Sequence, residues 1–360
     1  MGIFLNVSVK NIWNRRIEVK GMDDKSFLNH HKYIWGAALS VLGGAMWGIS
    51  GTCGQFLFTR KGLSSLWLTP IRLLIAGIIL LIWCFARSPK AALAPWKEGR
   101  DCRDLLVYGL AGITLCQFLY FGTIQLSSAG VATILQDLSP IPILLCSCVA
   151  TKRSPKWNEI VSIMLALFGV FLLVTHGSLT DFAVSPLALL TGIGCAGAVT
   201  IYNVYPKRLL SRYPVYLLQG WSFIMGGSIS MLIFRPWEYA VTLDRQIVAG
   251  VAAVVILGNL LAFNLYMVGV RLIGPEKAIL YGFAEPVAAA VLSSLWLGAP
   301  FTIWDLAGFI CVFAMLFLLS MKGNREKAVS EHHLVRDGSV DNIEETWKRG
   351  IGCAEKDSSH

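Results

Sequence analysis

Residues 66–86 read LWLTPIRLLIAGIILLIWCFA, an apolar run interrupted by a single charge, Arg72. About 20 residues at 1.5 Å each cross a hydrocarbon core of about 30 Å, so a run of this length is a membrane-span candidate. Taken alone it also suits the buried core helix of a soluble protein. Working outward removes that option, because comparable runs lie at 34–58, 105–125, 128–150, 157–175, 184–205, 215–234, 247–268, 273–297 and 303–321. Of the 360 residues, 55% are apolar and 15% charged, against roughly 45–50% and about 25% in a soluble domain. The expected fold class is an all-α integral membrane protein with ten transmembrane helices.

The basic residues that give a net charge of +9 sit in short segments between the runs. That placement orients a membrane protein and argues against a nucleic-acid groove. The N-terminal segment, the even-numbered loops and the C-terminal tail carry 25 Lys and Arg, whereas the odd-numbered loops carry only Arg60, Lys61, Arg235 and Arg245. Both termini are therefore expected in the cytoplasm, as an even number of spans requires. Residues 1–33 read as a cytoplasmic segment, lacking the apolar core and small-residue cleavage site of a secretory signal. Met22 stands within it as an alternative start. Residues 322–360 are polar and charged and are expected to form a disordered cytoplasmic tail.

The chain repeats itself weakly. Tyr120 to Pro140 aligns with Tyr266 to Pro286 at a shift of 146, and a shift of 150 pairs Gly44 with Gly194 and Gly77 with Gly227. Each copy, 34–175 and 184–321, then holds five spans, and an odd number makes the second copy enter the membrane from the opposite side. Inverted five-helix repeats of this kind suit alternating access around a central site. The nine cysteines form no C-x-x-C pair and read as small apolar packing residues, so neither a zinc site nor a disulfide framework is expected. No H-E-x-x-H, G-x-S-x-G or phosphate-cradling Gly-Lys motif occurs. The expectation is a carrier with no enzymatic activity and no cofactor.

The second copy runs Gly274-Pro275-Glu276-Lys277-Ala278, Glu285-Pro286-Val287-Ala288-Ala289, Leu297-Gly298 and Leu306-Ala307-Gly308. The first has Ile71 to Gly77 in span two and Ala129-Gly130-Val131-Ala132 through Pro140 in span four. In this order the chain resembles the EamA-type branch of the drug/metabolite transporter superfamily over residues 35–321, departing from it at Ala299, where an acidic residue is common. The resemblance implies a plasma-membrane carrier (inner-membrane in a bacterium) for small metabolites such as amino acids, amines or carboxylates, frequently an exporter. A channel, a lipid scramblase and a phosphorylated-sugar or nucleotide-sugar exchanger are the alternatives. The expected partners are a small-molecule cargo, protons and the lipid bilayer, with monomer and homodimer both open.

Groups costly to place in hydrocarbon are the first candidates for the site. Asp137 and Glu285 fall near the middle of spans four and nine, each just before a proline, Pro140 or Pro286. A proline frees backbone carbonyls that can hold cargo, and two carboxylates at equivalent depth could bind a cationic amine or exchange protons. Arg72 could attract a cargo carboxylate or snorkel towards the surface, and Lys277 is expected to snorkel. A polar and aromatic set completes the candidate site: Trp47, Gln117, Tyr120, Tyr202, Asn203, Asn259, Asn264, Tyr266 and Tyr281. Gly44, Gly48 and Gly51 in span one, and Gly192, Gly194 and Gly197 in span six, offer close-approach faces.

Overall fold

The computed structural model describes residues 24–176, 183–205, 207–273 and 275–318. Gly274, most of the N-terminal segment with Met22, and the tail from residue 322 lie outside the described residues. Among those described, eight helices are long and apolar enough to cross a membrane. They are α1 (Asp24–Thr59), α2 (Ser65–Arg87), α3 (Gly99–Leu126), α4 (Ala129–Ala150), α5 (Trp157–Thr175), α6 (Pro186–Val204), α7 (Val215–Phe234) and α8 (Arg245–Val270). Two shorter apolar helical segments follow, α9 (275–297, in two pieces) and α10 (Ile303–Leu318). Helix starts are capped where the sequence supplies an oxygen. Ser64, Ser128, Ser185 and Asp244 accept from the amides of Leu66, Val131, Ala188 and Ile247, satisfying donors the first turn leaves over.

Span four and span nine are each broken in the middle, and proline chemistry places the breaks. A proline ring clashes with the carbonyl four residues earlier and lacks the N–H that would bond it. Pro140 projects back to Gln136, where the first piece of α4 (Ala129–Gln136) ends. Pro286 projects back to Gly282, where the first piece of α9 (Pro275–Gly282) ends. The chain resumes as Pro140–Ala150 and Ala284–Leu297. Pro70 leaves α2 unbroken because its clash falls in the first turn. The fourth and ninth spans, expected as continuous runs from hydropathy, are thus each in two pieces. Helices α3 and α8 carry a further irregularity at corresponding places, π-helical stretches at Val107–Thr114 and Val254–Ala262. In the first, Thr114 Oγ1 donates to the Gly109 carbonyl five residues back at 2.7 Å.

Packing follows the same correspondence. Helix α1 lies against α8 and both pieces of α9, while α6 lies against α3 and both pieces of α4. Helix α2 lies against α7 through small residues. A Cβ added at Gly77 would stand 2.8 Å from the Ile224 amide nitrogen, and one at Gly227 would stand 2.9 Å from that of Leu74. A shift of 150 carries Leu74 to Ile224 and Gly77 to Gly227, so the contact is reciprocal, the pattern a two-fold axis generates. Apolar residues pointing away from these contacts, among them Ile82, Leu190, Leu232 and Leu295, are exposed. A membrane protein presents such a surface to lipid, which competes for apolar groups as well as another helix does.

Candidate functional site

The two breaks face the same interior. Glu285 stands in the first turn of the second α9 piece, and its backbone carbonyl meets α1 at Gly48, where an added Cβ would clash with it. Gly44 lies against the break itself: its Cβ would fall 2.5 Å from the Gly282 carbonyl oxygen. Gly51 does the same for α3, with Tyr120 Oη at 2.9 Å. The glycine face of span one therefore lets α1 ride directly on the broken backbone, which a larger side chain would hold off. The matching face of α6 is only partly used. Gly192 sits tightly on Leu135, but a Cβ at Gly197 would meet nothing within 4 Å.

Tyr120 Oη donates to Glu285 Oε1 at 3.4 Å, and the tyrosine is buried. Asp137 closes the first α4 piece, half-buried, and its Oδ2 has no hydrogen-bond partner among the described residues. Asp137, Glu285 and Tyr120 lie within electrostatic range of one another. An unpaired buried carboxylate oxygen is costly unless something else satisfies it.

Arg72 is buried to 1% exposure, so of its two readings, attracting a cargo carboxylate or snorkelling, the second is not met. Its Nη1 donates to Asn259 Oδ1 at 3.2 Å, its Nη2 to Gln117 Oε1 at 2.6 Å, and its guanidinium lies 3.7 Å over the Phe121 ring. Among the described residues it has no ion-pair partner. Amide dipoles and an aromatic face stand where a carboxylate normally would. The reason it does not snorkel is position: α3 and α8 close over it, and their amides offer nearer acceptors than the surface does.

The aromatic candidates separate into those at the breaks and those away from them. Trp47 Nε1 donates to the Gly258 carbonyl, within the π-helical stretch of α8, at 3.0 Å, and its ring lies 5.4 Å from that of Tyr266. Tyr202 packs on α3 beside Gly112 and edge-on to Tyr108 at 6.5 Å. Tyr281 instead pairs with Tyr33 through their hydroxyls at 2.8 Å, beside exposed Lys277. Asn203 and Asn264 are exposed and bond carbonyls of their own helices, Val199 at 2.8 Å and Leu260 at 2.6 Å. These last three stand outside the cluster. Helical spacing sets depth along a span but not which face turns inward, so sequence alone could not separate them.

The structure adds residues that sequence reasoning passed over. Cys116 of α3 and Cys195 of α6 hold their sulfurs 3.6 Å apart, and both approach Gln136 Oε1, at 3.9 and 3.5 Å. Gln136 is the last residue before the α4 break, which was the available signal. Gln55 ties both broken spans to α1, accepting from the Ala129 amide at 2.9 Å and from Ser293 Oγ at 2.7 Å.

Two stretches, residues 34–175 and 186–321, each match the EamA-like transporter family. The chain belongs to that family. It is a multi-pass membrane transporter, and its setting is a lipid bilayer with a small-molecule substrate. It is 34% identical to the "Uncharacterized inner membrane transporter YicL" of Salmonella typhimurium over 79% of this chain and 95% of that one. It is 24% identical to an "Uncharacterized transporter" of Archaeoglobus fulgidus, covering 75% and 93%. Protein PecM of Dickeya dadantii is also 24% identical, covering 71% and 84%. A crystal structure of an 18% identical protein superposes with a TM-score of 0.55, covering 82% of this chain and 98% of that one, which supports the fold.

Proposed function

We propose that this EamA-family transporter is a secondary carrier. It moves a small organic metabolite of the amino acid, amine or carboxylate class by alternating access, working as an exporter across the plasma membrane. The observation that carries the reading is the pair of proline-set helix breaks, one in each family stretch, with Asp137 at the first and Glu285 at the second. Broken helices expose backbone polar groups that only cargo, ions, water or protein can satisfy. The carboxylates there add charge for a cationic group or an exchangeable proton. The reciprocal contact of Gly77 and Gly227 and the matched packing of α1 and α6 support ten spans built as two inverted five-helix repeats. The loop charges support cytoplasmic termini.

The test is the metabolite profile exported by cells overexpressing the protein, compared with cells expressing Asp137→Asn or Glu285→Gln at equal membrane insertion. Both variants should abolish the excess export. Counterflow in vesicles then separates a carrier from a channel, because only the carrier shows it. Normal export by both variants would sink the role assigned to the carboxylates.

A further inference from the structure

Two sets of charges join the family stretches, and they lie at opposite ends of the bundle. At one end, Glu98 and Asp101 at the start of α3 meet Arg208 and Arg212 from the short helix Lys207–Arg212 between α6 and α7. Arg212 Nη1 reaches Glu98 Oε2 at 2.6 Å and Asp101 Oδ2 at 2.7 Å. Arg208 pairs with Glu98 and lies 3.3 Å from Asp101. Tyr213 Oη adds a bond to Asp101 Oδ2 at 2.7 Å, and Trp221 Nε1 donates to the Ala92 carbonyl at 2.9 Å. At the other end, Lys61, between α1 and α2, pairs with Asp244, the cap of α8, at 2.5 Å.

These sets are counterparts. The shift of 146 that relates the helix breaks carries Glu98 to Asp244, and the shift of 150 that pairs Gly44 with Gly194 and Gly77 with Gly227 carries Lys61 to Ser211, the residue beside Arg212. Acid before the third helix of one copy thus meets base after the first helix of the other, once at each end. An accidental surface pair has no reason to recur under the internal repeat. We propose that Glu98, Asp101, Arg208 and Arg212 form one gate of the transport cycle and Lys61 with Asp244 the opposed gate, broken in turn. The proposal rests on the alternating-access reading above.

The gates are unequal. Glu98 and Asp244 are similarly exposed, at 44% and 46%, but the first gate adds Asp101, whose carboxyl is fully buried under two guanidinium groups and a phenol. Water and salt compete with an exposed pair and much less with a buried one. The resting protein therefore opens more readily at the Lys61 end. Each ligand-free opening also requires the other end to stay shut, so weakening one gate shifts population away from states open at the other.

Amide hydrogen exchange of the full chain in lipid nanodiscs tests this without knowing the cargo. In the wild type, peptides around Lys61 and Asp244 should exchange faster than those around Glu98 and Arg212. Arg212→Gln should raise exchange at its own end and lower it around Lys61 and Asp244. Lys61→Gln should do the converse, with Lys61→Arg restoring the wild-type pattern. A pair that merely holds loops together would change exchange only locally, and that outcome overturns the proposal. So does a rise at both ends. If Arg212→Gln proves unstable, Lys61→Gln at the exposed end tests the same coupling between the two ends. The export assay on Asp137 is independent, so intact export with purely local exchange effects removes the gates and leaves the carrier standing.

Discussion

The tight contact between α1 and the α9 break can be tested by a single methyl group. At Gly48, a Cβ would meet the Glu285 carbonyl oxygen, the Ala289 amide nitrogen at 2.8 Å and the Ala288 Cβ at 2.9 Å. Most of what it meets is backbone of the second α9 piece, which cannot swing aside as a side chain would. Overpacking costs about 1–3 kcal/mol, and a backbone obstacle puts Gly48→Ala near the upper end. Alanine in place of glycine within a helix returns roughly 0.5–1 kcal/mol. The net is about 2 kcal/mol, or roughly 30-fold in the equilibrium that seats α1 on the break. In detergent, the thermal unfolding midpoint followed by tryptophan fluorescence should fall by a few degrees. Gly197→Ala is the matched control, since its Cβ meets nothing within 4 Å and only the helix-propensity gain remains. A Gly48→Ala midpoint equal to or above that of Gly197→Ala would refute the reasoning.

Arg72→Lys keeps the charge but cannot span Gln117 and Asn259 together, so it should cost about 1.5–3 kcal/mol, the worth of one hydrogen bond to a charged group. An unchanged unfolding midpoint would show that the guanidinium fork is not what holds α2 to α3 and α8. The gate carboxylates set a pH dependence. Hydrogen bonds from Arg212 and Arg208 hold Glu98 below its ordinary range, and one from Lys61 does the same for Asp244. Stability from a lowered carboxylate pKa is present above the unfolded values, about 4.3 for Glu and 3.9 for Asp, and is lost as pH falls through the folded ones. Acidification below about pH 4 should therefore loosen both ends, with a shallower decline in a Glu98→Gln, Asp244→Asn double variant. An identical decline in wild type and double variant would count against these pairs.

The apolar runs by themselves determined that the chain is helical and lives in a bilayer, because hydrocarbon tolerates only backbones that satisfy their own hydrogen bonds. The prolines beside Asp137 and Glu285 also mark where spans four and nine break, since a proline's clash is local and its reach along the chain is fixed. The weak repeat was legible as Gly77 against Gly227, but its meaning needed the structure, where those glycines pack reciprocally across α2 and α7. Facing was settled only by tertiary packing. Asn264 and Tyr281 are of the same residue types as Asn259 and Tyr266 yet stand outside the cluster, because rotation of a helix about its axis depends on its neighbours, and Asn203 stands one residue from the end of α6. Arg72 is the sharpest case: read alone it could face cargo or snorkel, and only the amides of α3 and α8, brought from 45 and 187 residues away, make the interior a place where its charge can stay.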